Sequence, residues 1–322
     1  RRHGDRDVPA DLQAGFGRLI DAASLQSAPF LLTAFAVLLG LLVGSFLNVV
    51  IYRLPVMMDR AWRRECVALL AAPGDASPHT EPFNLIRPGS ACPVCKTPIK
   101  VRHNVPVLGW LWLRGRCAAC RAAIPARYPV VEASTGLVSG FLVAHFGYTP
   151  DAVAALGLTW ALIALTVIDL DHQLLPDAIT LPLLWAGLLF HLLTGQHPDT
   201  SPFASTLADG VIGAMAGYLS LWLVYHGFHL VTGKEGMGFG DFKLFAALLA
   251  WFGYQMFLPI LLLSALTGAL TGISLMALGR HGRKEPIPFG PFLAAAGFVV
   301  LVWGEPLLGA YPILDPFHRV LP

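Results

Sequence analysis

Long uncharged stretches, separated by short polar segments, set the pattern of this chain. The clearest is residues 30–51, with 22 consecutive uncharged residues. A helix needs about 20 apolar residues to cross the hydrocarbon core of a bilayer. The pattern therefore predicts transmembrane helices over residues 30–51, 129–147, 152–168, 178–193, 206–231 and 289–303.

One further stretch is too long for a single crossing. Residues 244–278 are 35 residues without a charge. One helix of that length would measure about 52 Å, whereas the hydrocarbon core is about 30 Å thick. Gly253 and Pro259 favour a break. The predicted fold class is an all-α polytopic membrane protein with about eight transmembrane helices, or seven if this stretch does not cross twice.

Composition agrees with a membrane protein. The chain is 55% hydrophobic and 13% charged, with a mean hydropathy of +0.63, whereas soluble domains are about 45–50% apolar and about 25% charged. The net charge of +2 is too small to indicate binding to nucleic acid. Membrane lipid is the expected surrounding, and the oligomeric state is left open.

The distribution of cations predicts the orientation. With eight spans, one face carries 17 of the 22 lysine and arginine residues, which makes that face cytoplasmic. The predicted organisation is an N-terminal tail (1–29), a first transmembrane helix (30–51), a cytoplasmic domain (52–128), a transmembrane domain (129–309) and a C-terminal tail (310–322). The N-terminal tail is either a short surface helix or a disordered leader.

Four cysteines in the cytoplasmic domain have metal-site spacing. Cys92 and Cys95 form one CxxC pair, and Cys117 and Cys120 form another after 21 intervening residues. Two such pairs close a tetrahedral four-thiolate zinc site, which has no open position and is therefore structural. Two disulfides or a redox pair are the alternatives; a reducing cytoplasm disfavours the first. Cys66 is left as an odd thiol.

Carboxylates at the ends of spans are the candidates for chemistry, because charges there are costly and usually functional. Asp169 directly follows an uncharged run, and Asp241 opens a later one. The topology puts both at the cytoplasmic face. Two carboxyl groups that share a site hold one proton between them, which suits amide hydrolysis by an activated water. Asp171 and Asp177 are alternatives, with Asp177 favoured as a first-turn helix acid.

Glycines surround the second acid in the segment GMGFGDF. Gly238 and Gly240 are interpreted as an active-site loop where a substrate backbone can approach the acid closely. A flexible turn is the alternative, and the spacing does not fit a phosphate-binding loop. His226 and His229 could bind a metal by spacing, although interfacial histidines are favoured because no third ligand is evident.

Several long motifs resemble the bacterial type 4 prepilin peptidases, a group of GxGD intramembrane aspartyl proteases. The resemblance runs from about residue 41 to about residue 303. It rests on the double CxxC loop and on GSFLNVVIYRLP (44–55), IDLDHQLLPD (168–177), TGKEGMGFGDFKL (232–244) and PIPFGPFLA (286–294).

The resemblance implies an enzyme of the bacterial inner membrane that acts on the cytoplasmic side. It would cleave the leaders of prepilins and of type II secretion pseudopilins, and then N-methylate the new terminus with S-adenosylmethionine. The catalytic acids carry over to Asp169 and Asp241, and the zinc ligands to the four CxxC cysteines. Gly115 and Arg116 occupy the place of a glycine and a basic residue linked to methyl transfer. A proton-coupled transporter, which also uses intramembrane acids, is the alternative from another class.

Overall fold

The computed structural model describes residues 29–70, 83–195, 201–234, 236–279 and 287–310. The N-terminal tail, for which a surface helix and a disordered leader were the alternatives, lies almost entirely outside these ranges. The C-terminal tail also lies almost entirely outside them. The described chain is helical, and its only sheet-like features are two isolated bridges, Ala91 with Pro98 and Arg116 with Ala123.

Nine α-helices follow one another along the described chain. They are α1 (Pro29–Leu70), α2 (Leu108–Trp112), α3 (Arg127–Phe146), α4 (Pro150–His172), α5 (Asp177–Thr194), α6 (Leu207–Thr232), α7 (Phe239–Phe252), α8 (Phe257–Ala277) and α9 (Gly290–Ala310). All except the five-residue α2 are apolar helices at the places where the hydrophobic pattern predicts spans.

Six of these helices are long and apolar enough to cross a membrane by themselves, namely α1, α3, α4, α5, α6 and α8 with the 3₁₀ turn that precedes it. The apolar part of α9, Gly290–Gly304, is shorter, and α7 has 14 residues. The all-α membrane fold is thus confirmed, with eight apolar helices in the described residues. A count of eight crossings remains a prediction for α7 and α9.

The break within residues 244–278 lies at Gly253. This glycine ends α7 with φ 75°, and a short 3₁₀ turn, Tyr254–Met256, leads into α8. Pro259 is the third residue of α8 and causes no break, because the first turn of a helix has no partner for the N–H that proline lacks.

The first helix continues well past the predicted span and ends at Leu70. Its polar extension carries Arg63 and Asp59 in an ion pair at 2.9 Å, one helical turn apart, a spacing that supports a solvated helix. Arg53 is buried at the start of the extension, and its Nη1 donates to the carbonyl of Asn84 at 2.9 Å. The extension therefore holds the beginning of the cysteine-bearing segment.

Helix α7 is the centre of the bundle. Apart from Lys243, every residue from Asp241 to Phe252 is buried, and α5, α6, α8 and α9 surround it. Glycines on α6 allow the close approach: a Cβ at Gly213 would lie 2.8 Å from the carbonyl oxygen of Leu249. The indole N–H of Trp251 donates to Leu183 on α5 at 2.9 Å. The segment that carries the second candidate acid is thus fixed from several sides.

Candidate active site and metal centre

Asp169 lies in the last turn of α4 and is only 5% exposed. Its Oδ2 accepts a hydrogen bond from the backbone N–H of Gly290 at 3.0 Å. A Cβ at Gly290 would lie 2.6 Å from the same oxygen, so the carboxyl group rests directly on the first residue of α9. The helix start supplies both the N–H donor and the positive end of a helix dipole.

Asp241 is the third residue of α7 and is 8% exposed. Its backbone N–H bonds to the carbonyl of Gly238 at 3.2 Å, in the turn that starts the helix. Because Gly238 is the N-cap of α7, the glycine-rich loop delivers the acid straight into the first turn. The sequence prediction that Asp241 stands at the mouth of an apolar helix is confirmed.

The two acids converge on one place. Leu175 packs next to both acids. A Cβ added at Gly240, the residue before Asp241, would lie 2.7 Å from the Leu175 Cβ. A Cβ added at Gly290, which contacts Asp169, would lie 3.1 Å from the Leu175 Cδ2. Three helices that are far apart in sequence thus bring two buried carboxyl groups to one end of the bundle.

The two glycines of the loop have different surroundings. A Cβ at Gly240 would collide with Leu175 at 2.7 Å, so this glycine is required by packing within the protein. Gly238 is exposed, and the nearest atom to a Cβ there is Oδ2 of Asp241 at 3.8 Å. There is therefore open space beside Asp241 at Gly238. Of the two glycines, Gly238 fits better the interpretation that the loop lets a substrate backbone approach the acid.

The neighbouring acids are tied up in ion pairs. Asp171 pairs with Arg127 at the start of α3, and both carboxylate oxygens of Asp177 lie 2.7 Å from Nζ of Lys243. Asp177 is also the first residue of α5, as its interpretation as a first-turn acid requires. Each of these acids joins two helices, and neither is buried like Asp169 and Asp241.

Arg127, Lys243 and Gly290 are the residues that the sequence analysis missed. Lys243 follows Asp241 by two positions, and Gly290 belongs to a quoted motif, but neither position reveals its partner. The Gly290 contact joins residues 121 positions apart, and the Lys243 contact joins residues 66 apart. The only sequence signal for Arg127 and Lys243 was that each is a cation next to the start of an apolar run.

The four predicted cysteines form one cluster. Their sulfur atoms all lie within 4.8 Å of one another, with Cys92 Sγ 3.8 Å from Cys120 and Cys95 Sγ 4.0 Å from Cys117. All four are free thiols, as is the exposed Cys66. These two pairs each join one CxxC motif to the other, which is the arrangement of a four-ligand site.

The two CxxC motifs have the same local fold. Lys96 N–H bonds to the Cys92 carbonyl at 2.9 Å, and Arg121 N–H bonds to the Cys117 carbonyl at 3.0 Å. Lys96 and Arg121 both have positive φ, 58° and 61°. Each motif is therefore a tight knuckle that directs two thiols to one point. A hydrogen bond with the hydroxyl of Thr97 lowers the pKa of Cys95 to about 6, whereas burial and the neighbouring thiols raise the pKa of Cys120 to about 11.

Gly115 and Arg116 lie directly before the second knuckle. Gly115 has φ +66°, and a Cβ there would lie 2.8 Å from the Trp110 ring. Its carbonyl accepts the N–H of Ile124 at 2.8 Å, while Arg116 is exposed. The glycine is thus required by the packing of the four-cysteine module, and the arginine side chain is accessible to solvent or a ligand.

His226 and His229 join no group of metal ligands in the described residues. His226 packs on Trp222 with ring centroids 4.0 Å apart, and His229 stacks on Tyr225 at 6.1 Å. These contacts support the prediction of interfacial histidines.

Known proteins match most of the chain. Residues 38–146 match the Bacterial Peptidase A24 N-terminal domain, and residues 156–273 match the Type IV leader peptidase family. A prepilin leader peptidase/N-methyltransferase of Aeromonas salmonicida is 52% identical over 285 residues, which cover 88% of this chain and 94% of the relative. Those of Stutzerimonas stutzeri and Pseudomonas aeruginosa are 49% identical over 287 residues, covering 89% of this chain and 96% of each relative. No solved structure matches.

Proposed function

Because the chain belongs to the type IV leader peptidase family, we propose that it removes the leader peptides of prepilins and pseudopilins and N-methylates the residue exposed by cleavage. It is then both a protease and a methyltransferase, and this family membership replaces the transporter alternative. The cleavage site of such a substrate has to reach the end of the bundle where the two acids lie.

Asp169 and Asp241 carry the cleavage. The observation that supports this assignment is the burial of two carboxyl groups at one end of the bundle, where Leu175 packs next to both Gly240 and Gly290. In the pair, the ionised carboxylate takes a proton from water while the protonated group donates a hydrogen bond to the scissile carbonyl. That proton then passes to the leaving amine as the C–N bond breaks, so that both acids return to their starting protonation states.

The substrate approaches from the face that carries the four-cysteine module. This face holds most of the cations and is assigned to the cytoplasmic side of the inner membrane. The open space at Gly238 beside Asp241 lets an extended backbone reach the acids. The buried packing of Gly240 and Gly290 against Leu175 keeps the rest of the site closed.

Single replacement of either acid should abolish cleavage. Asp169→Asn and Asp241→Asn each remove one half of the proton exchange, a loss of about 100-fold or more. The measurement is mass spectrometry of a prepilin incubated with purified enzyme in detergent, with and without S-adenosylmethionine. The unsubstituted enzyme should give a shortened product, and with the methyl donor a product heavier by one methyl group.

Asp171→Asn and Asp177→Asn serve as the matched controls, because they remove charges of the same type near the same place. They should lose much less activity, since each breaks only an exposed ion pair. Full cleavage by either the Asp169 or the Asp241 variant would overturn the assignment of the acids while leaving the family's activity intact.

The four-cysteine cluster fits zinc. Zinc–sulfur bonds of about 2.3 Å in a tetrahedron place neighbouring sulfurs about 3.8 Å apart. The separations of 3.8 and 4.0 Å across the knuckles agree with that value. Cys92, Cys95, Cys117 and Cys120 would hold the ion in a closed site, where it stabilises the module. S-adenosylmethionine is the proposed methyl donor, with Gly115 and Arg116 in the segment assigned to methyl transfer.

Metal analysis tests the zinc assignment. Purified protein should contain about one zinc per chain, and Cys92→Ser should lose it because three thiolates hold zinc less tightly than four. Cys66→Ser removes the fifth, exposed thiol and should retain the metal. Equal zinc contents in the two variants would contradict the assignment.

A further inference from the structure

The four-cysteine module carries an exposed apolar face that neither metal binding nor cleavage explains. Helix α2 presents Leu108, Leu111 and Trp112 with exposures of 62%, 56% and 77%. Residues three and four positions apart share one side of a helix. These three side chains therefore form one outward patch, which we call the α2 patch.

The opposite side of α2 is firmly packed into the module. Gly109 is buried, and a Cβ there would lie 2.3 Å from the carbonyl oxygen of His103. The indole N–H of Trp110 donates to the carbonyl of Ile124 at 3.1 Å. The α2 patch thus belongs to a rigid element, so its exposure is not the result of a loose helix.

A hydrogen bond fixes the height of α2 relative to the membrane helices. The N–H of Val107, the residue before α2, donates to Oε2 of Glu132 at 2.7 Å. Glu132 is the sixth residue of α3, about 8 Å along that helix from its start. Since α3 is long and apolar enough to span a bilayer, α2 lies beside the end of a span instead of standing above it.

The backbone of Val107 has an unfavourable conformation at the point where α2 is attached to Glu132. Its φ of 59° belongs to a region that β-branched residues rarely adopt. The Glu132 carboxylate stabilises that conformation through the charge-assisted hydrogen bond. A strained residue and a carboxylate in the second turn of α3 thus hold α2 beside the end of a helix that is long enough to span a bilayer.

Charge identifies the surface that would cover the patch. Residues 83–126 contain seven lysine and arginine residues and no aspartate or glutamate. Arg114 and Arg116 are exposed just after α2. A tryptophan and leucines beside arginines suit the boundary between acyl chains and anionic headgroups.

We propose that the α2 patch is inserted into the bilayer surface, so that the four-cysteine module rests on anionic phospholipid. Leu108, Leu111 and Trp112 contact the upper acyl chains, and Arg114 lies among the phosphates. The assignment depends on the position of α2 and is independent of the catalytic role of the two acids.

Fluorescence quenching of Trp112 tests the proposal in the full-length, metal-loaded protein. The enzyme and its Trp112→Phe variant are placed in nanodiscs of anionic phospholipid with bromine near the headgroup, and separately with bromine near the chain end. The difference between the two emission spectra reports Trp112 alone. We expect this difference to be quenched most by the shallow bromine and little by aqueous acrylamide.

Trp185→Phe provides the matched control. Trp185 is 66% exposed near the middle of α5, so its difference emission should be quenched most by the deep bromine. In a Leu108→Ser/Leu111→Ser variant, which changes only exposed side chains, Trp112 should become accessible to acrylamide.

Two results would overturn the proposal. Quenching of Trp112 by acrylamide and by neither bromolipid would place the patch in water. Protection from all quenchers would indicate a second copy or another protein on the patch, and the mass of the nanodisc particles would distinguish these two.

Discussion

Gly290 occupies a position where any side chain larger than hydrogen would displace a candidate catalytic oxygen. Its N–H donates to Asp169 at 3.0 Å, and its Cα faces the same Oδ2 atom. A residue without a side chain thus sets the place of a candidate catalytic carboxyl group. This dependence is a property of the contact between α4 and α9.

Replacing this glycine should damage cleavage without unfolding the protein. In Gly290→Ala the new Cβ would lie 2.6 Å from Asp169 Oδ2, and a displacement of about 1 Å in an active site can cost about 100-fold in rate. We expect a loss of that order in kcat with a smaller change in KM, measured by leader cleavage.

Gly157→Ala is the control for this prediction. Gly157 lies in α4, the helix of Asp169, and nothing lies within 4 Å of a Cβ at that position. It should retain full cleavage and gain slightly in thermal stability. Equal activities of the Gly290 and Gly157 variants would show that the contact does not position Asp169.

At this scale the sequence located the candidate acids and cysteines, but not the residues that contact the acids. Asp169, Asp241 and the four cysteines were identified because acids at span ends and paired CxxC motifs are rare without a role. Gly290, Lys243 and Arg127 could not be assigned, because their partners lie on other helices and hydrophobic periodicity does not say which helices touch.

Between elements, the ion pair of Lys243 and Asp177 joins the first turn of α7 to the first residue of α5. Nζ lies 2.7 Å from both carboxylate oxygens. The side chains are 27% and 53% exposed, so solvent screens the attraction and the pair contributes a fraction of a kcal/mol, as surface pairs of about 0.2–1 kcal/mol do. Its value lies in fixing α7 close to α5.

Charge reversal tests this link. Lys243→Asp and Asp177→Lys should each lower the thermal midpoint, because two like charges then face each other, and the double reversal should recover most of the loss. The coupling from the double-mutant cycle should be about 0.2–1 kcal/mol. Thermal unfolding in detergent provides the measurement.

The pair Arg63 and Asp59 supplies the comparison. Its cation is far more exposed, at 75% against 27% for Lys243, and both partners lie within one helix. Its reversal should change neither the thermal midpoint nor cleavage appreciably. A coupling as large in this pair as in Lys243 and Asp177 would mean that the link between α5 and α7 has no special role.

The hydrophobic pattern located the helices well where an apolar run ends at a polar cap. Residues 178–193 and 206–231 were predicted, and α5 and α6 are Asp177–Thr194 and Leu207–Thr232. It did not predict that α1 continues to Leu70, because residues 52–70 are polar and a span criterion ends where charge begins. Helix propensity continues across that boundary, although hydrophobicity does not.

For the whole molecule, the open question is how many times the chain crosses the bilayer. Eight crossings place the four-cysteine module and both candidate acids on one side and both termini on the other. A reporter at the C-terminus distinguishes eight from seven. We expect alkaline phosphatase fused there to be active and a green fluorescent protein fusion to be dark.

The same fusions made within residues 83–90 should give the reverse result, since eight crossings place that segment on the opposite side from the C-terminus. A fluorescent C-terminal fusion would indicate seven crossings. It would also mean that α7 and α9, the two short helices, do not both cross the bilayer as separate spans.

The shortness and burial of α7 have a consequence for how the enzyme is made. With 14 residues, it measures about 21 Å and cannot cross about 30 Å of hydrocarbon alone. Its walls include α8 and α9, which are synthesised after it. Asp241 therefore reaches its final place only when the last helix arrives, and that helix also brings the N–H donor for Asp169. A half-made chain in the membrane thus lacks the complete surroundings of both candidate acids until α9 has been added.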